Sequence, residues 1–163
     1  MTHDNKSSLI YFIADLHLSQ NRPDITGCFV RFLTEEAPKA SKLYILGDLF
    51  EYWVGDDDKS PFLVNIANGL AHLRASGTEI FFIHGNRDFL LGKHFAKASG
   101  MVILPEVDAI DLFGQKAIIM HGDTLCTRDV DYQAFRKKSR SWWWQAAIKA
   151  LPLSIRLKIA ANY

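Results

Sequence analysis

Short apolar runs, each stopped by a polar loop, set the rhythm of this chain. Residues 9–14 (LIYFIA), 43–46 (LYIL) and 80–83 (IFFI) have strand length and strand-forming composition. Near-continuous runs of this kind predict strands buried on both faces. Between them the spacing lengthens to that of a helix. Ile25, Cys28, Phe29, Phe32 and Leu33 form one apolar stripe, with Pro23 at its start and Pro38 just past its expected end. Ser60-Pro61 predicts a second helix start, serine as cap and proline in the first turn. Its buried face is Phe62, Leu63, Ile66, Ala67, Leu70 and Leu73, and Gly77 closes it. A short helix is expected over 91–99, a strand at 102–104, and a hairpin from 107–112 and 116–120. From Asp131 onward the pattern is helical and Pro152 breaks it. Alternating strands and helices argue for α/β layering with mainly parallel pairing.

A chain of 163 residues suffices for one domain with a real core, and its composition is that of an ordinary globular protein. The formal charge of +1 hides an asymmetry. Residues 1–130 carry 12 Lys/Arg against 17 Asp/Glu, whereas residues 131–163 carry 7 against 1. The division predicts a core over 1–130 and the start of a basic, Trp-rich helical cap or lid over 131–163, facing an anionic partner. The acidic balance of the first part speaks against a nucleic-acid groove there. Cys28 and Cys126 have no metal or redox spacing and are expected to be reduced and mostly buried. The first residues, MTHDNKSS, lack the apolar core of a signal peptide, and no apolar run is long enough to span a membrane.

The chemistry sits where the strands stop. Four strand ends deliver Asp15 and His17, then Asp48, then Asn86, then His121. Ligands of α/β sheets gather beyond the carboxyl ends of strands. Carboxylate with imidazole suits a borderline divalent ion such as Mn²⁺, Fe²⁺ or Zn²⁺. Asp15 and His17, alternate residues on an extended backbone, are expected to reach one ion while Leu16 points into the core. Asp48 is expected to bridge two ions, with Asn86 and His121 on the second. Two such ions, about 3.5–4 Å apart, clamp a phosphoryl group and activate water. Arg87 is placed for a bidentate phosphate contact.

DLH, GDLF, GNRD and HGD, in this order, resemble the calcineurin-like metallophosphoesterases. The longer blocks GDLFEYWVGDD, FIHGNRDFLLGKHFA and IMHGDTLCTRD, followed by YQAFR, are similar to the branch that cleaves the pyrophosphate of UDP-2,3-diacylglucosamine in lipid A biosynthesis. The resemblance implies a layered β-sandwich flanked by helices and a hydrolase with two Mn²⁺ per site. It implies Asp15, His17, Asp48, Asn86 and His121 as metal ligands, with Asp48, Asn86 and His121 catalytic. Asn86, Arg87 and Asp129 would touch substrate. Water would attack the α-phosphorus, releasing UMP and the acylated sugar 1-phosphate. The partners implied are the lipid-linked nucleotide sugar and an anionic membrane, at the cytoplasmic face of the bacterial inner membrane.

Two departures stand out. Where the wider family places a histidine after the asparagine, this chain has Arg87, which suits a leaving group that departs as a phosphate anion. The family also supplies two histidines from a late GHTH-type loop, and none follows His121 here. The expectation is an amino-terminal fragment, lacking C-terminal strands, that binds manganese weakly and hydrolyses little. The alternatives are a metallophosphoesterase for other nucleotides or phosphodiesters, and a non-catalytic scaffold on the same fold.

Other polar residues carry plainer expectations. His84 is structural or supports a ligand from behind, and His3, His72 and His94 lie on the surface. Asp88 and Asp123 orient ligand histidines or bond to backbone, or they plainly cap their loops. Asp56–Asp58 forms a solvated loop beside a helix start. Trp142–Trp144, within a basic stretch, belong to a lid over the site, to a membrane contact, or to both.

Overall fold

The computed structural model describes residues 7–161. Its centre is a parallel sheet of β1 (Ser7–Ile13), β2 (Ala40–Ile45), β3 (Glu79–Phe82) and β4 (Met101–Ile103), in that order. On one face lie α1 (Pro23–Arg31), α2 (Pro61–Ala75) and α3 (Lys93–Ser99). On the other lies the antiparallel hairpin of β5 (Val107–Leu112) and β6 (Gln115–Met120). The chain ends in α4 (Val130–Ser139), α5 (Trp142–Ala150) and α6 (Leu153–Ala161), the last two separated at Pro152.

Strand alternation explains the layering. Leu43, Ile45, Ile80 and Phe82 join the core under the helices, with Phe29, Leu33, Ile66, Leu70 and Leu73. Their neighbours Tyr44, Phe81 and Ile83 turn the other way, toward Ile110 and Ile119 of the hairpin. The hairpin turns tightly through Phe113 and Gly114, both at positive φ (57° and 89°).

β2 and β3 have both faces covered, as their composition predicts, but β1 does not. It pairs with β2 alone, and Leu9 and Phe12 are each 39% exposed. The two-stranded hairpin leaves a gap of about 450 Å³ between Phe12 and Phe113. Phe12 covers one flank by stacking on Tyr44, ring centres 5.0 Å apart.

Both cysteines are free thiols as expected, but the expected burial fails, because both are exposed. Cys28 sits beside the buried face of α1, where Phe29 fills the core, and Cys126 follows a one-turn 3₁₀ helix in a surface loop. Ser60 occupies the cap position of α2 but makes no side-chain capping bond. Asp58 Oδ1 accepts the Ser60 N–H instead, at 2.9 Å. His72 and His94 are on the surface, and His3 lies outside the described residues.

Candidate metal centre

Three of the four non-glycine residues at positive φ are Asp15 (55°), His17 (49°) and Asp48 (51°). Left-handed backbone disfavours a side chain, so three such residues in one place mark strain held by their surroundings. The holding bonds are backbone ones. Asp15 N–H donates to the Gly47 carbonyl, His17 N–H to Asp48 and Leu18 N–H to Leu49, at 2.9–3.1 Å. The extended geometry expected for residues 15–17 is therefore replaced by left-handed turns. Asp15, His17 and Asp48 nevertheless converge, with ligand atoms all within 4.8 Å of one another. Leu16 packs against the core.

Asp48 is 2% exposed. Its Oδ1 accepts the Arg87 N–H at 2.8 Å. Its Oδ2 stands 3.8 Å from His17 Nε2 and 3.9 Å from His121 Nε2, between two imidazoles. The crossing chain comes so close that only glycine fits. A Cβ on Gly85 would lie 2.0 Å from Asp48 Oδ1, and one on Gly47 would lie 2.6 Å from His121 Nδ1.

His121 Nδ1 is 2.8 Å from the Leu46 carbonyl, which can only accept, so that nitrogen carries the proton. In a neutral ring the Nε2 lone pair then faces Asn86 Oδ1 at 3.1 Å. Two acceptors meeting head-on ask for a cation between them. His17 turns its Nε2 toward Asp48 and its Nδ1 toward Glu51. Its Nδ1 is buried without a hydrogen bond, although Glu51 Oε2 lies 3.3 Å away in poor alignment. The donor set of carboxylate, imidazole and amide oxygen fits a divalent ion of borderline softness.

Asp88 is fully buried beneath the site. Its two oxygens accept the Leu49 and Gly85 N–H groups, each at 2.8 Å, so its work is on backbone. Burial, reinforced by the Asp48 charge, pushes its carboxyl up to about 6. His84 is structural, bonding the Leu91 carbonyl at 2.7 Å, and burial lowers its pKa. Asp123 neither orients a histidine nor caps a loop. Its Oδ2 accepts from Tyr132 Oη and Arg136 Nε, both at 2.7 Å. Burial opposes its ionisation, but these two partners hold it below the usual carboxylate range.

Asp56–Asp58 is not the solvated loop expected. Asp56 accepts from the backbone N–H of Gly92, His94 and Phe95 and from Trp53 Nε1, capping α3 from 36 residues away in sequence. Asp57 forms a two-bond fork with Arg156 of α6, itself 4% exposed. The segment between them and the site, Tyr52–Val54, is tied to Arg87 through the Trp53 N–H, 3.0 Å from the Arg87 carbonyl.

A cavity of about 230 Å³ opens beside Asn86 and Arg87, walled mainly by Trp53, Phe89, Phe135, Trp144 and Ile148. Among the described residues the Arg87 guanidinium has no acidic partner. Asp129 does not line this cavity. It caps α4, its Oδ1 accepting the Tyr132 N–H at 2.9 Å.

A family model described as calcineurin-like phosphoesterase matches residues 8–159, nearly the whole chain. The chain belongs to the calcineurin-like phosphoesterase family. This phosphoesterase is similar to proteins named UDP-2,3-diacylglucosamine hydrolase from three bacteria. It is 54% identical to that of Actinobacillus succinogenes, with 93% of this chain and 65% of the relative covered. The figures are 54%, 93% and 63% for Photorhabdus laumondii, and 56%, 93% and 63% for Escherichia coli. The chain thus spans a little under two thirds of the length of these curated relatives.

Sequence reasoning brings forward Asp15, His17, Asp48, Asn86 and His121, and the structure gathers all five around Asp48. It misses Glu51, Arg136, Arg140 and Arg156. The i, i+4 spacing of Arg136 and Arg140 in a basic helix was the available signal.

Proposed function

We propose that this phosphoesterase hydrolyses the pyrophosphate bond of UDP-2,3-diacylglucosamine, giving UMP and 2,3-diacylglucosamine 1-phosphate. The observation that carries the reading is the placement of Asp48 Oδ2 between two imidazoles, at 3.8 and 3.9 Å, beside an apolar cavity that begins at Asn86 and Arg87. The relatives at 54–56% identity support the choice of substrate.

Asp15, His17 and Asp48 would hold one divalent ion, and Asp48, Asn86 and His121 a second, both Mn²⁺. When bound, such ions supply positive charge at the phosphoryl oxygens and lower the pKa of water. The remaining work falls to the chain. Leu46 fixes the His121 tautomer, so its lone pair faces the site. Asp48 is buried, with its Oδ1 held by the Arg87 N–H. The Arg87 guanidinium meets the phosphates, and because the acylated sugar 1-phosphate leaves as a phosphate anion no general acid is required there. Water attacks the α-phosphorus, the phosphoanhydride bond breaks, and the sugar 1-phosphate keeps its oxygen. Asp129 is assigned to substrate near the sugar.

The cavity beside Arg87 suits the acyl chains. Trp142 is 80% exposed and Trp143 51%, on a helix flanked by Lys137, Lys138 and Lys149. Exposed indoles among cations favour an anionic bilayer surface, which supports assigning the chain a peripheral position at the cytoplasmic face of the inner membrane. No helix among the described residues is long and apolar enough to cross a membrane.

The test is Mn²⁺-dependent release of UMP from the purified substrate. Asp48→Ala is expected to remove nearly all of it. Retained activity would mean that Asp48 is not the shared ligand. Pelleting with anionic vesicles, lost in Trp142→Ala/Trp143→Ala, tests the membrane contact.

A further inference from the structure

The two halves of the site are held from different places. The residues around Asp15, His17 and Asp48 are fixed by backbone bonds between the first two strand ends and by buried Asp88. Asn86 and His121 have an additional anchor, and it comes from α4. Arg140, just past that helix, donates from NH2 to the Gly85 carbonyl at 2.8 Å. Asp88 holds the N–H of the same residue. The Gly85 carbonyl belongs to the peptide plane that leads into Asn86, so fixing it aims the Asn86 side chain. The Arg140 guanidinium also lies over the Phe89 ring, 5.4 Å from its centre.

The other side of the pair is gripped by the same element. Arg136 and Tyr132 bind Asp123, two residues after His121, and Arg140 stands 3.8 Å from that carboxylate. Glu106 ties the two arginines together, at 2.9 Å to Arg136 and 2.7 Å to Arg140. Arg140 is well covered, its side chain 13% exposed, so the contact with Gly85 is shielded from competing water.

We infer that Arg140 is a positioning residue that aligns Asn86 with His121, so that the second metal position depends on the docking of α4 far more than the first, which meets the same loop only through the Arg87 N–H on Asp48. The inference rests on the two-ion reading above. It makes the two positions unequal. One is completed by the sheet, and the other only when the helical segment is seated. Groups that orient ligands from behind typically change metal affinity about 10–100-fold when removed.

The experiment uses the 163-residue chain with Mn²⁺ alone. Electron paramagnetic resonance during titration separates a single bound ion from a spin-coupled pair. The unaltered chain is expected to develop the coupled signal. Arg140→Ala should change the affinity of the first ion by less than about 3-fold and bind the second at least about 10-fold more weakly. Arg140→Lys, which can still reach the Gly85 carbonyl, should recover part of that loss. Glu106→Gln should give a smaller loss of the same kind. Amide exchange in the metal-free chain supplies the second readout. Residues 85–89 should exchange faster in Arg140→Ala, and residues 15–18 should not. Two ions bound as tightly in Arg140→Ala as in the unaltered chain would overturn the inference, as would equal weakening of both. Should the unaltered chain bind no pair, the two-ion reading fails, and the exchange rate of residues 85–89 decides the role of Arg140 by itself.

Discussion

The loops at the strand ends and the helices α4–α6 are fastened by opposite means. At the strand ends two chain segments touch backbone to backbone, with glycines at the crossing and a buried carboxylate beneath. The helices are fastened by arginines, which reach across from Arg136, Arg140 and Arg156 to carbonyls and acids on the body. The first arrangement is rigid and intolerant of added atoms. The second is adjustable, because a guanidinium on a long stem keeps its partners through small shifts. A site built on both has a fixed half and a half that follows the helices.

Gly85→Ala should break the contrast most severely. Its Cβ would fall 2.0 Å from Asp48 Oδ1 and 2.4 Å from Asp48 N, and the backbone cannot yield cheaply. A loss of about 3 kcal/mol in denaturant unfolding is expected, together with loss of Mn²⁺ binding. Gly122→Ala is the control. Unlike Gly85 it has a positive φ (100°), but it has open space around it, so about 1 kcal/mol is expected.

Arg156→Ala comes next. It leaves the Val54 and Leu151 carbonyls without their donor and frees Asp57. About 2 kcal/mol is expected from the stranded acceptors, read as earlier fraying of α6 by amide exchange. Asp56→Ala removes the cap of α3 and should cost about 1–2 kcal/mol, with the loss concentrated in residues 92–99.

The smallest effect sharpens the comparison by pH. The Arg156 hydrogen bond lowers the Asp57 pKa below its ordinary value. A depressed carboxylate stabilises the fold above its unfolded pKa and loses that contribution as pH falls through the folded one. Asp57 is mostly exposed, so screening keeps the effect below about 1 kcal/mol. Unfolding between pH 5 and pH 2, compared with Asp57→Asn, should show a shallower acid slope in the variant. Equal slopes would mean that the fork is only geometric.

What could be read from the sequence divides along the same line. β2 and β3 announce themselves, because a strand covered on both faces has to be apolar throughout. β1 has the same composition, yet it lies at the edge, since an apolar run says nothing about how far the covering layer extends. Asp15, His17, Asp48, Asn86 and His121 were legible because their residue types recur at strand ends. How Asp15 and His17 meet was not, because left-handed backbone leaves no periodic trace. The acids 56–58 were misread for another reason. Asp58 caps the nearby helix start, but Gly92 on Asp56 and Arg156 on Asp57 lie 36 and 99 residues away, and local charge patterning cannot see across that distance.

Gly85 has a consequence for anyone altering this protein. With a bare α-carbon against Asp48 and its carbonyl in the hand of Arg140, that position admits a single amino acid, and combinatorial libraries should leave it untouched. Variation that retunes the centre has to enter through the cationic helices, where side chains can lengthen, shorten or tilt without colliding with the pleated scaffold.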